Sequence, residues 1–255
     1  MTAPGDPSAL AGLPDPAATV LLFDFDGSLS PIVDDPAAAR PAEGVVPLLE
    51  VLAARYRRVG IVSGRPLAFL EAHLPESVDL SGSYGLEARV DGAAIADPQV
   101  EPWRPIVAEA AARFAADGPP GINVESKAVS LTVHFRTVPE AGPEVERVAE
   151  RIAAATGLEA RAAKMSVELH PPVHADKATA VTGLADGAQG VLYLGDDLGD
   201  LPAFDALDVL ASAGVATVRA VVESEELPDA LRARADLVVP GTDGVLDLLA
   251  LLAAR

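Results

Sequence analysis

Three short apolar runs that end abruptly in polar residues constrain this chain more than any other feature of its sequence. Thr19–Phe25 (TVLLFDF) breaks into acid, Arg58–Ser63 (RVGIVS) ends in serine, and Val191–Leu194 (VLYL) runs into Gly195-Asp196-Asp197. The first and third are continuous rather than alternating, so both faces of each strand must be covered. Helical spacing is expected over Pro36–Arg55, around Leu67–His73 and around Leu201–Ala206, with further strands near Val209, Val215 and Leu237–Val239. Strands alternating with helices specify an α/β class: a doubly wound parallel-sheet core of Rossmann-like type.

The middle of the chain follows another rule. Pro105–Ala116 and Gly142–Ala155 have helical periodicity, the latter with Glu144, Glu146, Arg147 and Glu150 on its wet side. Between and after them, Leu131, Val133 and Phe135 alternate with Thr132, His134 and Arg136, and Val167 and Leu169 alternate with Ser166, Glu168 and His170. Strict alternation means antiparallel strands with one covered and one polar face. The order α-β-β-α-β-β makes an inserted α+β domain over 98–175, entered at Pro98, Pro102 and Pro105 and left at Pro171 and Pro172. The core is then 19–97 and 176–255, and 1–18, rich in Pro, Gly and Ala, reads as a loose leader that reaches the fold near Thr19.

Composition narrows the partners. A formal net charge of −19 repels nucleic acid and anionic lipid. No run approaches the length of a membrane span, and the absence of cysteine excludes disulfides and thiolate metal sites. These features suit the cytoplasm. An anionic small molecule must therefore be drawn in by local cations, and the chain has only three lysines, Lys127, Lys164 and Lys177.

The chemistry concentrates at the strand ends, where open parallel sheets bind ligands. Asp24 and Asp26 stand two apart on an extended chain and point the same way, and Gly27 lets the backbone turn after them. Two ionised carboxylates facing a phosphate dianion would be repelled by roughly 4 kcal/mol for each pair of unit charges at 4 Å and an effective dielectric near 20. A divalent cation is needed before either acid approaches phosphorus. Asp196, Asp197 and Asp200 supply oxygen ligands with no Cys or His beside them, which suits Mg²⁺. Ser63, before Gly64-Arg65, offers a hydroxyl to phosphoryl oxygens, and Lys177 a neutralising charge. Each of these elements alone is a common loop feature; their order and placement at successive strand ends give them weight.

That order resembles the haloacid dehalogenase superfamily. The resemblance implies Asp24 as nucleophile, Asp26 as general acid then base, and Ser63 and Lys177 as holders of the phosphoryl group. It places Mg²⁺ on Asp24, the Asp26 carbonyl and Asp196, supported by Asp197 and Asp200. Within the superfamily the chain is similar to the trehalose-6-phosphate phosphatases, through Leu29-Ser30-Pro31-Ile32, Ile61-Val62-Ser63-Gly64-Arg65, Gly82-Ser83-Tyr84-Gly85-Leu86-Glu87, Val124-Glu125-Ser126-Lys127, His134-Phe135-Arg136 and Val167-Glu168-Leu169. A monomer is expected; the family resemblance implies that Arg65, Glu125, Lys127, Arg136 and Glu168 bind substrate and that the substrate is a small sugar phosphate. It leaves open a functional link to a trehalose-phosphate synthase. The chain departs from the family pattern at Tyr84, where His is usual, and at Ala178, Gly199 and Leu201. A sucrose, mannosylglycerate or hexose phosphatase and a catalytically silent regulatory domain remain as alternative readings.

Overall fold

The computed structural model describes residues 7–255 apart from 34, 97, 128, 164, 174, 175 and 226. The first six residues of the expected leader, Lys164, and positions 97 and 175, where the expected domain boundaries fall, lie outside the described residues. The chain divides into two compact units, Met1–Ile95 with Ala175–Arg255, and Ala96–His174.

The first part of the chain forms β1 (Thr19–Phe23), α1 (Val45–Ala53), β2 (Arg58–Val62), α2 (Leu67–Glu71), β3 (Asp79–Gly82), β4 (Glu87–Val90) and β5 (Ala93–Ala96). The middle forms α3 (Arg104–Asp117), β6 (Asn123–Ser126), β7 (Leu131–His134), α4 (Gly142–Thr156), β8 (Glu159–Ala163) and β9 (Ser166–His170). After it come α5 (Lys177–Leu184), β10 (Gly190–Gly195), α6 (Leu201–Ser212), β11 (Ala216–Glu223), α7 (Asp229–Arg232), β12 (Leu237–Pro240) and α8 (Gly241–Ala254).

The larger unit is built on one eight-stranded sheet in the order β12-β11-β10-β1-β2-β3-β4-β5. Strands β12 to β3 run parallel, and β4 turns back antiparallel to β3. The apolar run of β1 divides by alternation between two cores. Leu21 and Phe23 pack with Leu192, Leu194, Ile61 and the inner faces of α1 and α8. Val20 and Leu22 pack with Val191, Tyr193 and the inner faces of α5 and α6. Each fully buried side chain of this kind contributes about 1.5–3 kcal/mol, which is why the run is continuous. Phe23 is level with Ile61 on one side and Leu194 on the other. The chain therefore leaves the sheet at Asp24, Ser63 and Asp196 along one edge.

Three local expectations are corrected, and two short strands had no sequence signal. Residues 7–18 are not loose: they form two 3₁₀ turns, Pro7–Gly12 and Pro16–Ala18, and the apolar pair Leu10 and Leu13 is buried in the core under α8. The helix expected from Pro36 begins only at Val45, because Pro41 keeps Arg40 out of helical geometry and Gly44 takes the left-handed turn (φ 91°) that starts α1. Val209 lies on α6, 70 % exposed, so it is a surface valine rather than part of a strand. Strand β3 reads Asp-Leu-Ser-Gly and β4 follows a three-residue turn, and neither has a run long enough to be seen in the sequence.

The smaller unit is a four-stranded antiparallel sheet, β6-β7-β9-β8, with α3 and α4 packed on one face in the expected α-β-β-α-β-β order. Leu131 and Val133 of β7 and Val167 and Leu169 of β9 meet Val107 and Phe114 of α3 and Val145, Val148 and Ile152 of α4. Register sets Glu125, Thr132, Glu168 and Arg161 in one row across the opposite face. Helix α4 ends on Gly157 in the left-handed conformation (φ 82°), whose N–H closes the last turn on the Ala153 carbonyl. No helix among the described residues is long and apolar enough to cross a membrane. Phe114 is fully buried at the centre of this core, so Phe114→Ala is expected to lower stability by about 3–5 kcal/mol. A shifted urea midpoint with an unchanged slope would measure it.

Candidate active site

The centre of the sheet edge is a buried ammonium. Lys177 opens α5 behind its N-cap, Asp176, whose side chain accepts from the Thr179 N–H. A cation at a helix N-terminus opposes the helix dipole, and its burial costs solvation. Two carboxylates offset both costs: Lys177 Nζ donates to Asp24 Oδ1 at 2.7 Å and to Asp200 Oδ1 at 2.6 Å. Burial works against the lysine's charge, but Asp24 and Asp200 outweigh it and hold the ammonium protonated well above its ordinary range.

Asp200 is wholly enclosed and saturated. Its Oδ1 accepts from Lys177 and from the Tyr193 hydroxyl at 2.6 Å, and its Oδ2 accepts from the backbone N–H groups of Asp196 at 2.8 Å and Asp197 at 3.1 Å. An ionised carboxylate has about four such positions, and all are taken. Asp197 caps the 3₁₀ turn Leu198–Asp200, its Oδ1 accepting from Gly199 N–H at 2.8 Å. Asp196 is different: its Oδ1 is buried and has no hydrogen-bond partner among the described residues. Burial, then the charges of Asp200 and Asp197, push the Asp196 carboxyl up to about 7. Burial likewise lifts Asp24 well above the usual carboxylate range, with Lys177 the chief opposing influence.

Asp24, Asp196 and Asp200 present oxygen atoms that all lie within 4.8 Å of one another. Three carboxylates against the ammonium of Lys177 leave an excess of negative charge, and one Asp196 oxygen has no hydrogen-bond partner among the described residues. That donor set, oxygen only and partly enclosed, could hold a metal ion. Gly27 keeps the space open, because a Cβ there would sit 1.9 Å from Asp196 Oδ2 and the residue's φ is +76°.

Asp26 lies beside this cluster in the grip of Arg65, which donates from Nε to Oδ2 at 2.8 Å and from Nη2 to Oδ1 at 2.6 Å. Arg65 also donates from Nη1 to the Pro36 carbonyl at 2.6 Å and lies over the Phe69 ring, 4.6 Å from its centroid. Ser63 is buried, and its Oγ accepts from the Arg65 N–H at 3.1 Å. Asp24, Asp26, Ser63, Arg65, Lys177, Asp196 and Asp197 line one cavity of about 300 Å³, with Ile32, Gly64, Tyr84 and Gly199 completing its wall.

The family model described as Trehalose-phosphatase matches residues 22–235. This chain belongs to the trehalose-phosphatase family. Among its relatives in that family, the trehalose-phosphate phosphatase of Mycobacterium ulcerans (strain Agy99) is 36 % identical over 218 residues, which are 80 % of this chain and 54 % of the relative. The corresponding protein of Mycobacterium tuberculosis (strain ATCC 25177 / H37Ra) is 35 % identical over 205 residues, 73 % of this chain and 51 % of that one. The chain thus spans about half the length of the curated relatives it matches. Among solved structures, the C-terminal domain of Candida albicans trehalose-6-phosphate phosphatase superposes with a TM-score of 0.69 at 26 % identity, covering 97 % of this chain and 96 % of that one.

The residues expected at the strand ends are gathered in one place in this trehalose-phosphatase family member, and those expected in the smaller unit make contacts within that unit. Lys127 Nζ lies 3.7 Å from Glu168 Oε1, which also accepts from Ser130 Oγ at 2.9 Å. Glu125 Oε2 meets His134 Nε2 at 2.9 Å. Arg136 stands in the turn beyond β7, exposed, and joins no ion pair or hydrogen bond among the described residues. Sequence reasoning missed Tyr193, although its place in the run VLYL was a signal: a tyrosine on a strand buried on both faces must find a partner for its hydroxyl. It also missed that Asp200 is the anchor of the cluster. In Asp200→Asn, an amide N–H₂ would face either Lys177 and Tyr193 or the two backbone N–H groups, donor against donor in both orientations. The substitution is expected to cost about 3–5 kcal/mol in denaturant unfolding.

Proposed function

We propose that this chain hydrolyses trehalose 6-phosphate to trehalose and inorganic phosphate through an aspartyl-phosphate intermediate. The observation that carries this reading is the buried Lys177 ammonium, hydrogen-bonded to Asp24 at the floor of a cavity that also contains Ser63 and the Asp26–Arg65 pair. Family membership and the activity for which the mycobacterial relatives are named support the substrate.

In the proposed reaction a carboxylate oxygen of Asp24 attacks phosphorus, and the bond from phosphorus to the sugar oxygen breaks. Asp26, as the acid, gives its proton to that leaving oxygen. Asp26, now the base, then takes a proton from water, whose oxygen attacks the same phosphorus and frees Asp24 and phosphate. Lys177 and the Ser63 hydroxyl hold the phosphoryl oxygens. Arg65 anchors Asp26, and an arriving phosphate dianion competes for the same guanidinium. Asp24, the Asp26 carbonyl and Asp196 would hold Mg²⁺, with Asp197 beside it. We assign Asp200 a supporting role, since its lone pairs are committed to Lys177, Tyr193 and the Asp196–Asp197 backbone. Mg²⁺, when bound, supplies the positive charge that lets a phosphate dianion approach these carboxylates. Glu125, Lys127 and Glu168, with Arg136, would bind the sugar hydroxyls, since paired acids and bases suit groups that both donate and accept. We place the chain in the cytoplasm as a monomer that receives its substrate from a trehalose-phosphate synthase.

Phosphate release should be measured with Mg²⁺, and again after chelation and Mg²⁺ readdition, from trehalose 6-phosphate, sucrose 6-phosphate, glucose 6-phosphate and mannosyl-3-phosphoglycerate. The expected result is Mg²⁺-dependent turnover with strong preference for the trehalose ester, lost by about 10³-fold or more in Asp24→Asn. Preference for another ester would keep the chemistry and change the substrate, and no release from any ester would leave a silent domain. Glu168→Ala and Lys127→Ala are expected to lower kcat/KM for the sugar ester about 10- to 100-fold relative to acetyl phosphate. Equal losses on both substrates would remove these residues from sugar recognition.

A further inference from the structure

Between β3 and β4 the backbone takes a costly path. Ser83 and Tyr84 are consecutive non-glycine residues in the left-handed region, at φ 50° and 59°, followed by Gly85 at 104°. The other such pair of positive φ values on this side of the sheet, Asp91-Gly92, is the tip of the β4–β5 hairpin, where such turns are normal. The Ser83–Tyr84 segment also joins two antiparallel strands, Gly82 of β3 pairing with Glu87 of β4, but it takes two consecutive non-glycine residues through the left-handed region. Residues held in this way persist only where their surroundings over-determine them.

The surroundings do so here. Ser83 N–H donates to the Arg65 carbonyl at 2.8 Å and Tyr84 N–H to the Ser63 carbonyl at 3.0 Å. The Ser83 hydroxyl, buried, donates to Glu87 Oε2 at 3.0 Å. These bonds tie the segment to the Ser63-Gly64-Arg65 turn. Their result is the position of one ring. The hydroxyl end of Tyr84 lies against Gly64, where a Cβ would come 2.6 Å from the ring carbon Cζ and 2.7 Å from the hydroxyl oxygen. Tyr84 stays 49 % exposed and, with Ile32 at 67 %, lines the catalytic cavity.

Core packing does not account for this arrangement. Glycine would adopt the same φ without strain, and a ring left half exposed is only partly used to fill the core. The cavity otherwise offers carboxylates, an ammonium, a guanidinium and a hydroxyl, which suit a phosphate and a metal. Tyr84 and Ile32 are its apolar wall. An aromatic face carries partial negative charge and attracts the polarised C–H groups of a sugar ring, while hydroxyls point elsewhere.

We propose that Tyr84 is a specificity-determining residue whose ring packs against the C–H face of the sugar that carries the phosphate. The inference deepens the functional reading above and rests on the substrate being a sugar phosphate. Its test compares wild type, Tyr84→Phe, Tyr84→Ala and Tyr84→Gly on the preferred sugar ester and on acetyl phosphate, which has no ring, with Mg²⁺ present. Phe is expected to keep the ratio of the two kcat/KM values within about twofold, whereas Ala and Gly lower it about tenfold through KM. Tyr84→Gly guards against misfolding, because the left-handed backbone accepts it and its thermal midpoint should not fall. An unchanged ratio in Ala and Gly, equal losses on both substrates, or a loss in Phe as large as in Ala would overturn the proposal. A wild type that cleaves acetyl phosphate but no sugar ester would overturn both readings. A wild type selective for a sugar ester, with a ratio indifferent to Tyr84, would overturn this one alone.

Discussion

The Lys177 ammonium, buried between Asp24 and Asp200, is the interaction on which the site depends. It joins three elements far apart in sequence: the end of β1, the start of α5 and the loop after β10. Burying such a group costs several kcal/mol, and removing one partner from a buried pair costs about 3–5 kcal/mol, so the geometry is all or nothing. Asp200 passes the constraint on, because the same carboxylate that takes Lys177 also takes the Tyr193 hydroxyl and two backbone N–H groups. The loop that presents Asp196 is thereby fixed to the lysine that faces Asp24. Under the proposed function that rigidity matters, since positioning and charge do most of the catalytic task in phosphoryl transfer.

The sheet makes that convergence possible. Strands β10, β1 and β2 are in register at Leu194, Phe23 and Ile61, so their polar successors emerge side by side. Two glycines then let the loops approach one another. Gly27 would place a Cβ inside the Asp196 carboxylate, and Gly195 would place one 2.2 Å from the Asp200 carboxyl carbon. Tyr84 on its strained segment is the counterpart: there the chain accepts an unfavourable conformation for a side chain it could have omitted. Strained residues concentrate where a particular side chain must be presented.

Much of this was legible in the sequence, for a definite reason. Continuous apolar runs such as Val20–Phe23 can only be central strands, so the residues that end them, Asp24 and Asp196, had to lie at a sheet edge. Strict alternation at Leu131 and Val133 revealed the second sheet just as directly. The failures share a cause as well. Strand β3 is too short and polar to carry a period, and Val209 was an apolar residue read without its helical neighbours Phe204 and Leu207. Leu10 and Leu13 were masked by the prolines and glycines around them, though their spacing of three suits the 3₁₀ turn they form. Arg65 was visible as a cation, but its pairing with Asp26 spans 39 positions and belongs to tertiary structure alone.

The charge balance of the cavity carries the argument one step further. Four carboxylates, from Asp24, Asp26, Asp196 and Asp197, face two cations, Lys177 and Arg65, both already paired. Such a cavity repels an approaching dianion by several kcal/mol at protein dielectric constants. Either protons or a metal ion can relieve it. The raised positions of Asp24 and Asp196, the latter at about 7, express the first solution. A metal ion held here would compete with protons for the same oxygens, so its affinity would rise with pH across the range where Asp196 ionises. Under the proposed function, each cation bound lowers the repulsion felt by the phosphate, and by linkage each phosphate bound raises affinity for the cation by the same factor. A chain with a net charge of −19 has little long-range attraction to offer an anion. In the proposed reaction the ester and the cation would therefore each serve as the other's partner, the cation offsetting the repulsion and the ester holding the cation.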